Sequence, residues 1–194
     1  GYDAVLKERD TPWPSHIARP SMPVPTRLPG SVILPPETPP QVAVDDFLDV
    51  FGATVTEGAT FTDATGSTLA ITKALFEDGS GQFKWLGKPE KVDRLRYINL
   101  MAMTLIEPDE IWWQWEEDRA HSSENPGVPK RWRLKRRSLR AFEIEDTKEY
   151  GVSVFEWSQI GWIGSTTFVA EPSNERARLK YFEKQRVGRL VFKK

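Results

Sequence analysis

Between Lys130 and Arg140 the chain carries seven Lys or Arg residues and no acid. Cations at such density are suited to phosphate, because each neutralised phosphate releases condensed counterions. If the stretch is extended, alternate side chains face opposite sides. Arg131, Arg133, Lys135 and Arg137 then form one line, while Trp132 and Leu134 point the other way, toward Phe142. A rigid row of this kind fits a nucleic-acid backbone. Two structural readings compete with it: an edge strand guarded by charge, or a row neutralised across a hairpin by Glu116, Glu117 and Asp118.

The end of the chain adds to this polarity. Residues 173–194 hold eight bases and two acids, whereas residues 41–82 hold seven acids and one base, Lys73. Arg176, Arg178, Lys180, Lys184, Arg186 and Arg189 form either a solvated helix face or a wall of an anion groove. Thr166 and Thr167 suit a strand by propensity, and a hydroxyl there could also donate to a phosphate oxygen. Trp112, Trp113 and Trp115 raise a similar choice, between packing on both faces of a strand and stacking on bases. Packing is the favoured use, with the indoles anchoring the first strand of a sheet.

Several chemistries lose their residues. The absence of cysteine excludes disulfides, thiolate nucleophiles and Cys-based metal sites. Only His16 and His121 offer imidazole, one in a Pro-rich tail and one in an expected hairpin loop. No phosphate-binding glycine loop, dinucleotide fingerprint, zinc-protease helix or nucleophile elbow is present. No run approaches the roughly 18 apolar residues of a membrane helix. No signal peptide is visible, and cytoplasm is the default compartment. The net charge of −1 names no partner. The chain opens on Gly rather than Met, which suggests an excised C-terminal piece of something longer.

The positioning elements follow from pattern. Ten of the fifteen prolines fall in the first 40 residues. Residues 1–41 are therefore expected to be an extended arm, wrapping a neighbouring surface or staying mobile, with Trp13, Ile33 and Leu34 as local anchors. Residues 42–194 form the domain. Val44, Phe47, Leu48 and Phe51 predict a first helix, and short extended pieces with turns at Asp63–Gly66 and Asp78–Gly81 come next. Residues 89–108 predict the clearest helix, closed by Pro108. Strands are expected at EIWWQWEED, RWRLKRRSLRAFEIE, YGVSVFEWS and GWIGSTTFVAE, with HSSENPGVP as a loop. A late helix capped by Ser173 and a final strand GRLVFKK complete the order. This describes an α+β fold: helices on one face of an antiparallel sheet of about four to five strands.

The run from Ile71 to Asp118, the basic RWRLKRRSLRAF, and the close GSTTFVAE…LKYFEKQRVGRLVF together resemble phage nuclease-like domains of the barnase–EndoU–colicin–RelE-like superfamily. Such domains often end Mu F-like minor head proteins. The resemblance rests on the order of the LF…G…K element, PDEIW, the basic strand and the closing R.G.L, and covers residues 69–194. It implies a helix followed by a four-stranded antiparallel sheet, and a ribonuclease, often a toxin, that needs neither metal nor cofactor. The 2′-hydroxyl would attack the adjacent phosphate and leave a 2′,3′-cyclic end. Lys84, Arg96 and Arg186 in the matched motifs, with Arg137 chosen from chemistry, would stabilise charge. Thr167 would bond a phosphate and Tyr181 would be the acid. Arg131, Arg133, Lys135, Arg137, Arg140 and Arg189 would bind the nucleic acid. The implied partners are RNA (tRNA among them), an acidic immunity protein and phage head proteins, with no membrane; the setting is host cytoplasm or virion. A catalytically silent head module using the same basic face is the alternative.

Overall fold

The computed structural model describes residues 20–124 and 127–194. Trp13, His16 and the Asn125–Pro126 part of the expected loop tip lie outside the described residues. The elements are β1 (Thr26–Leu28), α1 (Pro40–Val50), β2 (Ala59–Thr62), β3 (Thr68–Ile71), α2 (Lys84–Gly87), α3 (Ile98–Ile106), β4 (Glu110–Glu117), α4 (Arg119–Glu124), β5 (Trp132–Ile144), β6 (Thr147–Ser158), β7 (Gly161–Val169), α5 (Glu175–Gln185) and β8 (Arg189–Lys193). Short 3₁₀ segments run over Gly30–Val32, Lys73–Phe76 and Pro89–Tyr97.

The class is α+β, but the sheet is larger than expected. Among the described residues eight strands take part, in the order β2-β3-β7-β6-β5-β4-β8, with β1 added to β5. Two pairings, β1 with β5 and β3 with β7, are parallel, so the sheet is mixed rather than antiparallel. The added strands are three to four residues long, too brief to register as periodic patterns.

Helices cover both faces, not one. The cause lies in β5, whose apolar residues fall on both parities. Phe142 and Ile144 join the core built with α1 and α3, through Val44, Phe47, Leu48, Leu100, Met101 and Leu105. Leu139 and Ala141 face the other way and are covered with Phe182 of α5, beside Tyr150 and Val152. A strand apolar on both faces requires cover on both. Asp63, in the turn between β2 and β3, makes a buried ion pair with Arg136 of β5.

Three local expectations are corrected. The long helix divides: Pro89–Tyr97 is 3₁₀ and only Ile98–Ile106 is α. Part of the expected hairpin loop is α4, which begins after Asp118, whose carboxylate accepts from the His121 amide at 3.2 Å. The last helix is capped by Asn174, accepting from the Ala177 amide at 3.1 Å, rather than by Ser173. Helix α1 starts at Pro40, a proline at the first turn where no amide donor is missed. The segment before α1 is tied to the domain by Asn99 donating to the Val32 carbonyl and Arg96 to that of Leu34, each at 2.8 Å.

Helix α3 approaches β6 where Gly151 leaves room. A Cβ there would overlap the Thr104 hydroxyl and meet Phe142. Gly151→Ala is expected to cost about 1–3 kcal/mol by overpacking. Denaturant titration measures it, and Thr104→Ala in the same chain should return most of the loss.

Candidate active site

The site is built around the free part of one strand. The register of β7 with β3 covers only Trp162 and Ile163. A bulge opposite Val154 and Phe155 then shifts β7, and the strand continues to Val169. The 3₁₀ turn Lys73–Phe76, α2 and the segment Pro89–Tyr97 pack near this edge. Leu75 sits directly over Gly164, where a Cβ would come within 2.6 Å of its methyl carbon. Together they enclose a cavity of about 500 Å³. Its apolar lining includes Leu75, Phe76, Trp85, Leu95, Met101 and Phe168; its polar lining includes Lys84, Lys91, Arg94, Thr166, Thr167, Glu171 and Tyr181.

Lys84 opens α2 and reaches across to β7. Its ammonium donates to the Thr166 hydroxyl at 2.5 Å and lies 3.5 Å from the Leu75 carbonyl. Both acceptors are neutral oxygens. Burial, reinforced by the charge of Lys91 and only partly opposed by Asp78, pulls the Lys84 ammonium down to about 8. At neutral pH a minority of the side chain is therefore a free amine. Tyr181 of α5 faces the same space. Burial first, then the Glu171 carboxylate, push its phenol up against the opposing pull of Arg137 and Lys91. The phenol keeps its proton at neutral pH.

The remaining cations of the cavity are held in place. Lys91 pairs with Glu171 at 2.9 Å. Arg94 donates to the Ala170 carbonyl at 3.2 Å and to that of Glu171. Both stay near the rim, where a phosphate could replace part of their present bonding.

Of the six residues expected to act in the reaction, the structure brings Lys84, Thr167 and Tyr181 to the cavity. The Thr167 hydroxyl is shared with Ser153 at 2.8 Å, and the neighbouring Thr166 is the one that meets Lys84. Arg96 and Arg186 do not line it. Arg96 holds Leu34, and Arg186 is buried against Glu110, its Nε and Nη2 donating at 2.7 and 2.9 Å.

The basic strand is divided as alternation requires. Arg133, Lys135 and Arg137 share the face opposite Phe142, and each meets acid. Arg133 bonds Asp118 and Glu156, Lys135 bonds Glu156 at 2.9 Å, and Arg137 bonds Gln114 and Glu116. Cross-strand neutralisation is thus extensive. Arg137 stands in one cross-sheet row with Val154 and Thr166, two strands from β7, and does not line the cavity. Arg131 and Arg189 are exposed, just before β5 and on β8. Arg140 corrects the expectation of a phosphate-facing residue: it is 6% exposed. Its even number puts it with Phe142, over whose ring its guanidinium lies at 5.2 Å, and it donates to the Met103 carbonyl and the Thr26 hydroxyl.

Sequence reasoning passed over Trp85, Lys91, Arg94 and Glu171 as cavity residues, and of the threonine pair it chose Thr167 rather than Thr166 for the reaction. A signal existed in the density of cations in KWLGKPEKVDRLR, of which only Lys84 and Arg96 were singled out. Among the described residues, no three acidic or His side chains gather as a metal-holding group.

A mixed sheet flanked by helices, with a cation-rimmed cavity at a strand edge, has the make-up of an α+β domain suited to a phosphodiester. Residues 46–193 match the family described as phage-Barnase-EndoU-ColicinE5/D-RelE like nuclease2, and the chain belongs to that family. Neither the curated proteins nor the solved structures gave a significant match.

Proposed function

We propose that this nuclease-family domain is a metal-independent endoribonuclease acting by 2′-hydroxyl attack. The observation that carries the reading is Lys84: a partly buried amine, bonded to neutral oxygens and depressed to about 8, on the wall of the cavity. In its neutral form it takes the proton of the 2′-hydroxyl as general base. The new 2′-oxygen–phosphorus bond forms while the bond from phosphorus to the 5′-oxygen breaks. Tyr181, kept protonated, gives its proton to that leaving oxygen. Lys91, Arg94 and Arg137 offset charge on the phosphorane, and Thr166 and Thr167 are hydroxyl donors to its oxygens. The products are a 2′,3′-cyclic phosphate and a 5′-hydroxyl.

The exposed Arg131 and Arg189, with Arg133 and Lys135, extend the basic surface and are proposed to contact the RNA backbone, tRNA being one candidate. An acidic immunity protein would cover the same surface, in a host cytoplasm or a phage particle. The pairing of Arg133, Lys135 and Arg137 with carboxylates favours a second reading, a catalytically silent module among phage head proteins.

Incubation with total RNA in EDTA separates the two. The ribonuclease is expected to yield fragments ending in cyclic phosphate, detected by their resistance to phosphatase until the ring is opened. Intact RNA after prolonged incubation would overturn this reading in favour of the silent module.

A further inference from the structure

A second cavity, of about 550 Å³, opens where β2 and β3 come beside the turn between β6 and β7. Trp113, Trp157, Trp162, Leu134 and Ile160 line it, beside threonines of β2 and β3. Its three indoles form a connected row. Trp113 and Trp162 have ring centroids 5.5 Å apart, and Trp162 meets Trp157 edge to face at 5.1 Å. Trp157 is 54% exposed and Ile160 88%, so the row ends in an apolar rim open to solvent, the mark of a contact surface. The same place has hydrogen-bond donors in excess. Trp113 and its cross-strand partner Arg136 carry three buried nitrogens, the indole Nε1 and the guanidinium Nε and Nη1, with no acceptor among the described residues. The Arg136 guanidinium lies over the Trp162 ring at 5.7 Å. Buried donors left unpaired are costly, so this groove favours a ligand that is apolar in its side chains and rich in acceptor oxygens.

We infer that this groove docks the proline-rich stretch Thr11-Pro12-Trp13-Pro14 of the same chain. Proline-rich segments favour the polyproline II form, which has no internal hydrogen bonds and leaves its carbonyls as free acceptors. Pro12 and Pro14 bring no amide donor of their own. Such segments are held in aromatic-lined grooves, where the proline rings settle against the aromatic faces. A ligand with surplus acceptors thus meets a groove with surplus donors. The reach is sufficient. Residues 1–19 lie outside the described part, and the chain enters it at Pro20, whose carbonyl accepts from Arg186 at 2.8 Å. Arg186 holds Glu110, three residues before Trp113 on β4, and β4 lies next to the edge strand β8. Six extended residues from Pro20 back to Pro14 cover about 20 Å, against roughly 10 Å along that part of β4 and 5 Å across β8.

The test exploits the absence of cysteine, which makes an introduced pair of thiols unique in the chain. Asp10→Cys puts one thiol beside the proline-rich stretch, and Ile160→Cys puts the other on the exposed rim of the groove. The full chain carrying both is treated with a short bis-maleimide, and bridges within and between chains are separated by mass. Rapid bridging within one chain is expected. Adding Pro12→Ser and Pro14→Ser should slow it about tenfold, because an undocked tether offers its thiol at a lower effective concentration. Adding Trp157→Ala instead should slow it to a similar degree. The serine changes lie outside the folded elements and the Trp157 change at an exposed strand end, and each variant is checked for a native thermal transition. No bridge within the chain, or a rate unmoved by either set of changes, would overturn the inference. So would slowing by only one of the two sets, which would separate this stretch from this groove. Bridges formed mainly between chains would overturn it in favour of a second copy as the occupant.

Discussion

Replacing Lys84 by alanine is expected to lower the rate of RNA cleavage by about a hundred- to ten-thousand-fold, the contribution of a positioned general base. Lys84→Arg distinguishes base from cation. An arginine keeps the charge but does not release its proton at accessible pH. The arginine variant should therefore be as inactive as the alanine one; recovery of activity would mean that Lys84 serves only as a positive charge. The pH profile gives an independent reading. With the free amine as the active form, kcat/KM should climb with pH and level off above about 8. A profile that falls there would contradict the role. The same group affects stability. Its folded value of about 8 lies below the ordinary 10.5, so between those values the unfolded chain binds more protons and stability rises with pH. Below about 8 the penalty is fully present. Lys84→Met is accordingly expected to be more stable than the parent at pH 7, with the gain fading toward pH 10.5, as measured by urea denaturation. Stability gained together with activity lost is the signature of a functional group held at a cost.

Arg186→Ala is expected to act on folding instead. Glu110 is wholly buried, and Arg186 is 7% exposed. Burial pushes the Glu110 carboxyl up, yet bonds from Arg186, Trp112 and Lys193 outweigh it and hold the group below its ordinary value. Arg186 also donates to the carbonyls of Pro20 at 2.8 Å and Ser21 at 3.2 Å, which ties the start of the described chain to β4. Removing the guanidinium leaves a buried carboxylate short of its main partner, a loss of about 3–5 kcal/mol. Lys193, already within 3.3 Å, should offset part of it. The sign with pH follows from the depressed carboxyl. The pair stabilises the fold above the ordinary carboxylate value of 4.5 and ceases to do so as pH falls through the lower folded value. The difference between parent and Arg186→Ala should therefore be large at pH 7 and shrink in acid. Denaturant titration at both pH values measures this, and cleavage per folded molecule should be nearly unchanged at neutral pH. A variant that folds as stably as the parent but does not cleave would instead assign Arg186 to the reaction.

The motifs most visible in the sequence include both kinds of residue. PDEIW and the closing Arg186-Val187-Gly188-Arg189-Leu190 meet in space: Glu110 holds Arg186, and β4 pairs with β8 through Trp112 and Leu190. Gly188, at φ 88°, packs against the Trp113 carbonyl where a side chain would not fit. These residues are legible because they join the ends of the domain. Lys84 was also legible, as the lysine of the LF…G…K element. Arg94 and Lys91 were not, because residues 89–108 were expected to form one helix, whereas Pro89–Tyr97 is 3₁₀ and both side chains line the cavity. The hairpin turn at Glu145–Asp146, with φ of 48° and 66°, was equally hidden, since neither residue is a glycine or asparagine that would mark a left-handed pair.

By itself the chain determined what depends on short-range pattern: the α+β class, the long strands β5 to β7, the alternation that sets Arg133, Lys135 and Arg137 on one face, and the absence of thiol chemistry. Folding decided the rest, because ion pairing and burial act between residues far apart in the chain. Asp63 reaches Arg136, Glu110 reaches Arg186, and Lys84 meets Thr166 eighty-two positions away. Only those contacts separate the cations that hold the fold from the amine left beside neutral oxygens.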